Sequence, residues 1–321
     1  MGGSHTSIAS PVSLSSEDHP SSLNVADLEL LHNYDTSTSY TLATIPALQT
    51  FLRLNVPRIA FPHPFLLHTI LAISALHLAH FKKDLRVKYL SQAHFHYNIA
   101  LPIATSLLEK INEKTCSALY IFSTMCTIFT LGMGPKRGDF LVFGEQGIAE
   151  WLFLFRGLRT ILESHPRVLE NSDLSPMFNI SIREVSQPAS SNQHLQALRQ
   201  LITEHTSGDT EGQVYFTALD ELARSFPSTS TPGQVSSQTS PQIIFVWLYR
   251  LSDDFVQRLQ HRDPIALVIL AYFCVLLNNL SSFWWMSGWV EHLLSEIYRS
   301  LDGEHRMWMS WPMEEIGWIP S

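Results

Sequence analysis

The chain has 321 residues, of which 45% are hydrophobic and only 16% are charged, and its formal net charge is −8 at pH 7. Soluble domains usually carry about 25% charged residues, so this composition favours a large apolar core. The longest basic runs are the pairs Lys82-Lys83 and Lys136-Arg137, which excludes the basic stripe that binds nucleic-acid phosphates. We therefore expect no direct nucleic-acid binding by this chain.

The first 22 residues differ in composition from the rest of the chain. Residues 1–22 are rich in Ser, Pro and Gly and contain no apolar segment of the kind found in secretory signals. They predict a disordered lead-in, followed by a single domain over 23–321. Residues 228–240 are of low complexity and predict a mobile surface loop within that domain.

Apolar residues recur with a helical period from Val25 onward, and alternating strand patterns are absent. The sequence therefore predicts an all-α fold, a single large multi-helix domain. Pro64 and Pro264 suit the first turn of a helix, whereas Pro102 should kink or split the helix that contains it. The predicted helices are 24–33, 40–54, 64–81, 84–110, 115–131, 145–163, 192–205, 211–225, 241–260, 264–280 and 283–301.

Three segments, 59–81, 115–135 and 264–290, contain no Asp, Glu, Lys or Arg. Each is long enough to cross a bilayer, which takes about 20 apolar residues. However, the first segment contains several histidines, and the third contains Asn278 and Asn279 near its middle, and polar groups at mid-bilayer are costly. We therefore predict buried helices and no membrane span.

Aromatic residues are concentrated near the C-terminus, where Trp284, Trp285 and Trp289 lie within six residues. In a helix over 283–301, Trp285 and Trp289 would share one face, and Gly288 would leave that face open. Two interpretations remain: the tryptophans form core, or they line a buried apolar C-terminal pocket. On the second interpretation the predicted ligand-binding residues are Trp247, Phe273, Asn278, Trp284, Trp285, Gly288, Trp289 and His292.

Catalytic and metal-binding patterns are absent from the sequence. His77 and His80 are three residues apart, but no carboxylate completes a ligand set at helical spacing. Asp253-Asp254 is the only acidic pair in its region, which is too little for a magnesium-dependent terpenoid enzyme. We predict no enzyme activity, no cofactor and no metal site, and a terpenoid-pathway enzyme is the less favoured alternative.

Three blocks of sequence occur in a specific order. The first comprises LELLHNY (28–34), VPRIAFPHPFLLH (56–68) and LAISALHLA (71–79), and the second comprises ALYIFS (118–123) and WLFLFRGLR (151–159). The third comprises LSDDF (251–255), RDPIALVILAY (262–272), Trp284-Trp285, Gly288-Trp289 and Trp311-Pro312. Together they resemble the regulatory region of fungal binuclear zinc-cluster transcription factors, and are most similar to the sterol uptake control protein group.

The resemblance implies an all-helical regulatory domain whose C-terminal part binds a hydrophobic small molecule, a sterol or a pathway metabolite. It also implies control of sterol or secondary-metabolite genes, a nuclear location and a possible homodimer. Members of the family bind DNA through an N-terminal six-cysteine zinc cluster, whereas residues 1–25 contain no cysteine. We therefore expect this chain to lack its own DNA-binding module, and to stay cytoplasmic without an import partner. The alternative is a dimerisation or co-regulator docking module without a ligand.

Overall fold

The computed structural model describes residues 24–108, 111–145, 147–152, 154, 156, 174, 192–206, 212–226 and 241–320. The predicted lead-in and the predicted loop over 228–240 lie outside these residues, as does most of the predicted helix 145–163. Within the described residues the fold is helical apart from one two-stranded hairpin. The all-α prediction is confirmed.

The N-terminal part consists of short helical pieces. The predicted helix 40–54 is wrong, because the chain leaves the helical conformation before Pro46, which starts a new helix after the extended residue Ile45. The pieces are α1 (Val25–Asn33), a π-helical turn (Tyr34–Thr38), α2 (Ser39–Thr41), α3 (Pro46–Thr50), a second π-helical turn (Phe51–Asn55) and α4 (Val56–Ala60).

Three long helices follow: α5 (Pro64–Phe81), α6 (Arg86–Leu108) and α7 (Glu113–Gly132), with a 3-10 turn (Lys83–Leu85) before α6. Helix α5 has the predicted bounds and is buried on nearly all sides against α1, α6 and α7. Pro102 does not divide α6. Pro102 has no N–H to donate to the carbonyl oxygen of Asn98, four residues earlier. Both residues are exposed, so that carbonyl group lies on the solvent side.

The sequence did not predict the hairpin after α7. Strands β1 (Phe143–Gly144) and β2 (Gly147–Ile148) are antiparallel, and Phe143 lies opposite Ile148. Each strand has only two residues, too short for an alternating pattern to be visible.

The C-terminal part is built around one helix, α12, which is buried on nearly all sides. It packs against α9, α13 and α15. The elements are α8 (Gln193–Thr206), α9 (Gly212–Ser225), α10 (Pro241–Arg250), α11 (Asp253–Gln260), α12 (Pro264–Asn278), a 3-10 turn (Trp284–Met286), α13 (Trp289–Ser300), α14 (Gly303–Trp308) and α15 (Ser310–Ile316).

Two predicted helices in this part are wrong, because each is divided in the structure. Ser252 interrupts 241–260, and its hydroxyl accepts a hydrogen bond from the Phe255 amide at 3.2 Å as the N-cap of α11. Gly288 interrupts 283–301 with a left-handed φ of +78°, a conformation that favours glycine. Trp285 and Trp289 therefore do not share a helix face. Helices α14 and α15 were not predicted.

Two helices among the described residues, Pro64–Phe81 and Lys114–Gly132, are long and apolar enough to cross a membrane, and the bent pair α11–α12 would make a third candidate. In the folded chain 72% and 67% of the residues in the first two are buried against other parts of the protein. Such burial is typical of core helices in a large α-protein. It supports the prediction of no membrane span, which remains a prediction.

Candidate ligand-binding site

The eight predicted ligand-binding residues differ in exposure. The aromatic residues among them are buried, Asn278 and His292 are half-buried, and Gly288 is exposed. A side chain added at Gly288 would meet open space, so this glycine marks a turn at the surface.

Trp247 and Phe273 join three helices of the C-terminal part. Their ring centroids are 4.4 Å apart, which packs α10 against α12. The Trp247 indole N–H donates to the carbonyl oxygen of Ala218 on α9 at 2.9 Å. Because its polar atom is satisfied, Trp247 can be explained by packing alone.

Trp284 lies against the N-terminal half of the protein. Its indole N–H donates to the Thr41 hydroxyl at 3.0 Å, and its ring centroid is 5.4 Å from that of His77 on α5. The ring also lies over Gly132 at the end of α7, where an added Cβ would be only 3.0 Å from Trp284 Cζ3. A larger residue at 132 would therefore push Trp284 away by a few tenths of an ångström.

Trp289 and His292 fasten α13 to α7 and the loop that follows it. The Trp289 indole N–H donates to the Leu131 carbonyl oxygen at 2.8 Å. His292 Nε2 lies 3.0 Å from the Asp139 carbonyl oxygen and must donate to it, since a carbonyl oxygen only accepts. Both residues have structural partners.

Trp285 differs from the other three predicted tryptophans. Its side chain is 1% exposed, yet its indole N–H has no acceptor within the described part of the chain. The nearest ring centroids are those of Phe283 at 5.2 Å and Phe245 at 6.3 Å. A buried donor without an acceptor costs about 1–3 kcal/mol, so packing alone does not explain this N–H.

His77 is a second buried residue with unpaired polar atoms. It is not among the ligand-binding residues predicted from the sequence. It is 7% exposed, and neither ring nitrogen has a partner among the described residues. Burial, assisted by the nearby His80, lowers the pKa of His77 to about 4. The imidazole is therefore neutral at pH 7 and offers one donor and one acceptor. The signal in the sequence was a histidine in the middle of an apolar helix.

The predicted tryptophans other than Trp285 thus fall into two groups. Trp247 contacts Phe273 in the C-terminal part, whereas Trp284 and Trp289 both contact the end of α7. Asn278 lies near the end of α12, at the rim of the buried region. The ligand-binding assignment remains a prediction, and Trp285 is the member whose geometry calls for a further partner.

Within the described ranges, no cluster of His, Cys, Asp and Glu has the arrangement of a metal site. The three cysteines Cys116, Cys126 and Cys274 are all buried and free. Burial raises the pKa of Cys126 to about 12, which keeps that thiol protonated and unreactive at neutral pH.

Comparison with known proteins adds sequence relationships to this geometry. The chain is 26% identical over 170 residues to Sterol uptake control protein 2 of Saccharomyces cerevisiae, covering 51% of this chain and 18% of that protein. It is 23% identical over 338 aligned positions to a Zn(2)-C6 fungal-type transcription factor of Gibberella zeae, covering 96% of this chain and 65% of the relative. A third relative is Sterol uptake control protein 2 of Candida albicans, 24% identical over 212 residues, which are 64% of this chain and 28% of that protein.

The chain therefore spans less than two thirds of the length of each of these relatives. Residues 29–240 match the family described as fungal specific transcription factor domain. This match covers more than half of the chain, and the all-helical fold agrees with the resemblance seen in the sequence. The chain belongs to the fungal-specific transcription factor domain family.

Proposed function

We propose that this chain is the ligand-sensing regulatory domain of a fungal transcription regulator, and that it binds a hydrophobic small molecule, a sterol or a lipophilic pathway metabolite. Family membership supports the regulatory role. Two relatives carry the name Sterol uptake control protein 2, which supports a sterol as the first ligand to test. Control of sterol or secondary-metabolite genes belongs to the whole protein and is part of the proposal.

The unpaired indole N–H of Trp285 carries the ligand part of the proposal. It is a hydrogen-bond donor enclosed by apolar and aromatic side chains, as in small-molecule sites that combine an apolar wall with a few polar groups. The hydroxyl or carbonyl oxygen of a lipophilic ligand would satisfy it. His77 on α5, which contacts the neighbouring Trp284, is a second buried group whose two nitrogens have no partner among the described residues.

Burial of the apolar body would supply most of the binding energy. A ligand of sterol size that buries about 400 Å² gains on the order of 10 kcal/mol before the costs of association and ordering. A hydrogen bond from Trp285 adds up to about 1.5 kcal/mol. Its main effect is therefore to orient the ligand and to select for an oxygen at one position.

The test is a binding titration of the full chain, purified without detergent, with a fluorescent sterol and with unlabelled ergosterol as competitor. We expect saturable and competable binding. The Trp285→Phe variant should bind about tenfold more weakly, because it keeps most of the ring but loses the donor. Trp318→Phe is the matched control, since Trp318 packs against Tyr298 outside the predicted site.

Absence of saturable binding to sterols and to a panel of lipophilic metabolites would remove the ligand part of the proposal. The dimerisation or co-regulator docking alternative would then remain. Equal binding by wild type and Trp285→Phe would move the site away from Trp285 while leaving a ligand-sensing role in place.

The proposal also includes a possible homodimer, a nuclear location, no enzyme activity and no direct nucleic-acid binding by this chain. The formal net charge of −8 supports the last point. Light scattering after size-exclusion chromatography measures the oligomeric state. A fluorescent fusion expressed in a fungal cell measures whether the protein accumulates in the nucleus or stays in the cytoplasm.

A further inference from the structure

A polar cavity of about 310 Å³ opens beside α13. Its walls come from the loop after α7, from the turn between α11 and α12, and from the last turn of α13. The walls include Gly138 and Ser300. The charged residues that line it are Arg137, Glu145, Arg262, Glu296 and Arg299.

The charges in this cavity do not cancel. Arg299 Nη1 is 2.8 Å from Glu296 Oε1, so these two residues neutralise each other. Within the described part of the chain, neither Arg137 nor Arg262 has a carboxylate within 4 Å. Two arginines and Glu145 are left, so the cavity keeps an excess of positive charge in a protein whose formal net charge is −8.

Arg262 has an unusual backbone conformation. Its φ is +55°, directly after the C-cap residue His261 of α11, where left-handed residues are usually glycine. A non-glycine residue in this region has a strained backbone. Arginine does not favour this backbone conformation. A function of its side chain would explain why arginine, and not glycine, occupies the position.

The Arg262 side chain is positioned at the cavity by an aromatic ring. Its guanidinium carbon lies 5.4 Å from the centroid of Phe140, a cation–π contact. That contact leaves the N–H groups along the edge of the guanidinium free to bind a planar or tetrahedral oxyanion. Arg262 is thus held in place without a carboxylate partner.

Glu145 gives the cavity a second kind of polar group. Gly138 has a left-handed φ of +83°, and a Cβ at this position would lie 3.2 Å from Glu145 Cγ. Glycine therefore lets the Glu145 side chain lie across this wall. A carboxylate there accepts a hydrogen bond from a hydroxyl or amino group on the same ligand.

We propose that this cavity binds the carboxylate or phosphate group of a small polar metabolite, with Arg137 and Arg262 contacting the oxyanion. The size is at the lower end of small-molecule sites, which run from about 300 to 1,000 Å³, and the charged lining does not suit a sterol. This is a second site, and it does not depend on the hydrophobic ligand proposed above.

The loop that lines this cavity is already bonded to α13. His292 on α13 already donates to the carbonyl oxygen of Asp139, which lies in the same loop as Arg137 and Gly138. An oxyanion between Arg137 and Arg262 would link that loop to the start of α12. A ligand bound there would therefore stabilise the contact between the loop after α7 and the C-terminal part.

The test is isothermal titration calorimetry of the full chain with inorganic phosphate and, separately, with citrate, at ionic strength matched with sodium chloride. We expect saturable binding with a dissociation constant of about 1 mM or lower for at least one of the two. Binding to phosphate only would identify a phosphate group as the ligand chemistry, and binding to citrate only would identify a carboxylate.

Arg262→Gly is the decisive variant, because glycine fits the left-handed backbone better than arginine does. It should keep or raise the melting temperature while weakening anion binding about tenfold. Arg137→Ala, at an exposed position, should weaken binding to a similar extent. Lys136→Ala is the control, since this neighbouring cation does not line the cavity, and it should bind like wild type.

Two results would overturn the proposal. One is no saturable heat with either anion up to about 10 mM. The other is binding that survives unchanged in both Arg262→Gly and Arg137→Ala, since the anion would then bind elsewhere on the surface.

Discussion

Histidines near the two ends of helix α5 have opposite surroundings. Toward its N-terminal end, His68 Nδ1 lies 2.9 Å from His96 Nδ1, and His96 Nε2 lies 3.3 Å from a carboxylate oxygen of Asp27. Toward its C-terminal end, His77 packs against Trp284 and neither of its ring nitrogens has a partner among the described residues. His96 and His77 are both buried, so burial does not distinguish them. The pairing of their ring nitrogens does.

The tryptophans of the C-terminal part show the same difference. Trp289 and Trp285 are both almost fully buried, but the Trp289 indole N–H is bonded to Leu131 and that of Trp285 is unpaired. A paired polar group holds two elements together and is explained by the fold. An unpaired one lowers the stability of the free protein, and a bound molecule that supplies the missing partner would restore the hydrogen bond. Four substitutions test this comparison.

Trp289→Phe should have the largest effect. It removes the 2.8 Å hydrogen bond to the Leu131 carbonyl oxygen and leaves a smaller ring in a packed site. We expect a loss of about 2 kcal/mol in the free energy of unfolding, roughly half from the hydrogen bond and half from the lost volume. Urea unfolding followed by circular dichroism measures it. A loss below about 0.5 kcal/mol would show that pairing at Trp289 does not stabilise the fold.

Asp27→Ala should have the next largest effect, because it leaves the buried Nε2 of His96 without its carboxylate. The expected loss is about 1–2 kcal/mol. Asp35→Ala is the control: it breaks the ion pair with Arg53, in which the side chains are 45% and 42% exposed, and exposed pairs contribute about 0.5 kcal/mol or less. Equal losses in the two variants would contradict a structural role for the Asp27–His96 contact.

His77→Leu should have a smaller effect of opposite sign. Replacing an unpaired imidazole by an apolar side chain should raise the free energy of unfolding by about 1 kcal/mol at pH 7. The folded pKa of His77 is about 4, below its unfolded value of about 6.5. The unfolded state therefore binds more protons in between, and wild-type stability falls as the pH drops from about 6.5 toward 4.

The His77→Leu variant should lose less stability over that pH range than wild type. Burial also lowers the pKa of His68 and His96, so part of the acid sensitivity will remain. Melting temperatures between pH 7 and pH 4.5 measure the difference. His32→Leu, at an exposed histidine of α1, is the control for replacing a histidine by leucine outside the core. A destabilised His77→Leu protein would indicate that the imidazole has a partner in solution.

The sequence predicted the helices whose determinants are local. Helix α5 has the predicted bounds, and α12 starts at Pro264 and ends two residues early, because a first-turn proline and a long apolar run are visible in the sequence. The break at Gly288 was missed, since glycine is also tolerated inside helices, and only its φ of +78° reveals the turn. The hydrogen bond between Trp289 and Leu131 joins residues 158 positions apart, and no local pattern indicates such a partner.

For the candidate site, the sequence predicted the burial of the tryptophans but not their hydrogen-bond partners. Composition indicated buried tryptophans, and the structure confirms the burial of all the predicted ones. It could not indicate which indole N–H groups find acceptors, because the acceptors lie on α2, α7 and α9. Trp285 and His77 became distinctive only when those contacts were known.

Trp285→Phe should have the smallest effect on stability and the most specific effect on ligand response. The substitution removes an unpaired donor and some ring volume, two changes of opposite sign, so we expect a net change below about 1 kcal/mol in the free protein. Trp289→Phe, the paired counterpart, should lose stability but keep its response to the ligand.

Ligand response is measured as the rise in melting temperature on adding ergosterol, which follows the ratio of free ligand to its dissociation constant. If Trp285 donates to the ligand, a tenfold weaker affinity reduces the ligand stabilisation at saturating concentration by about 1.4 kcal/mol. The opposite result would be a Trp285→Phe protein whose melting temperature rises with ergosterol as in wild type and a Trp289→Phe protein whose melting temperature does not rise. The paired indole would then be the sensor, and its bond to Leu131 would be the contact that the ligand replaces.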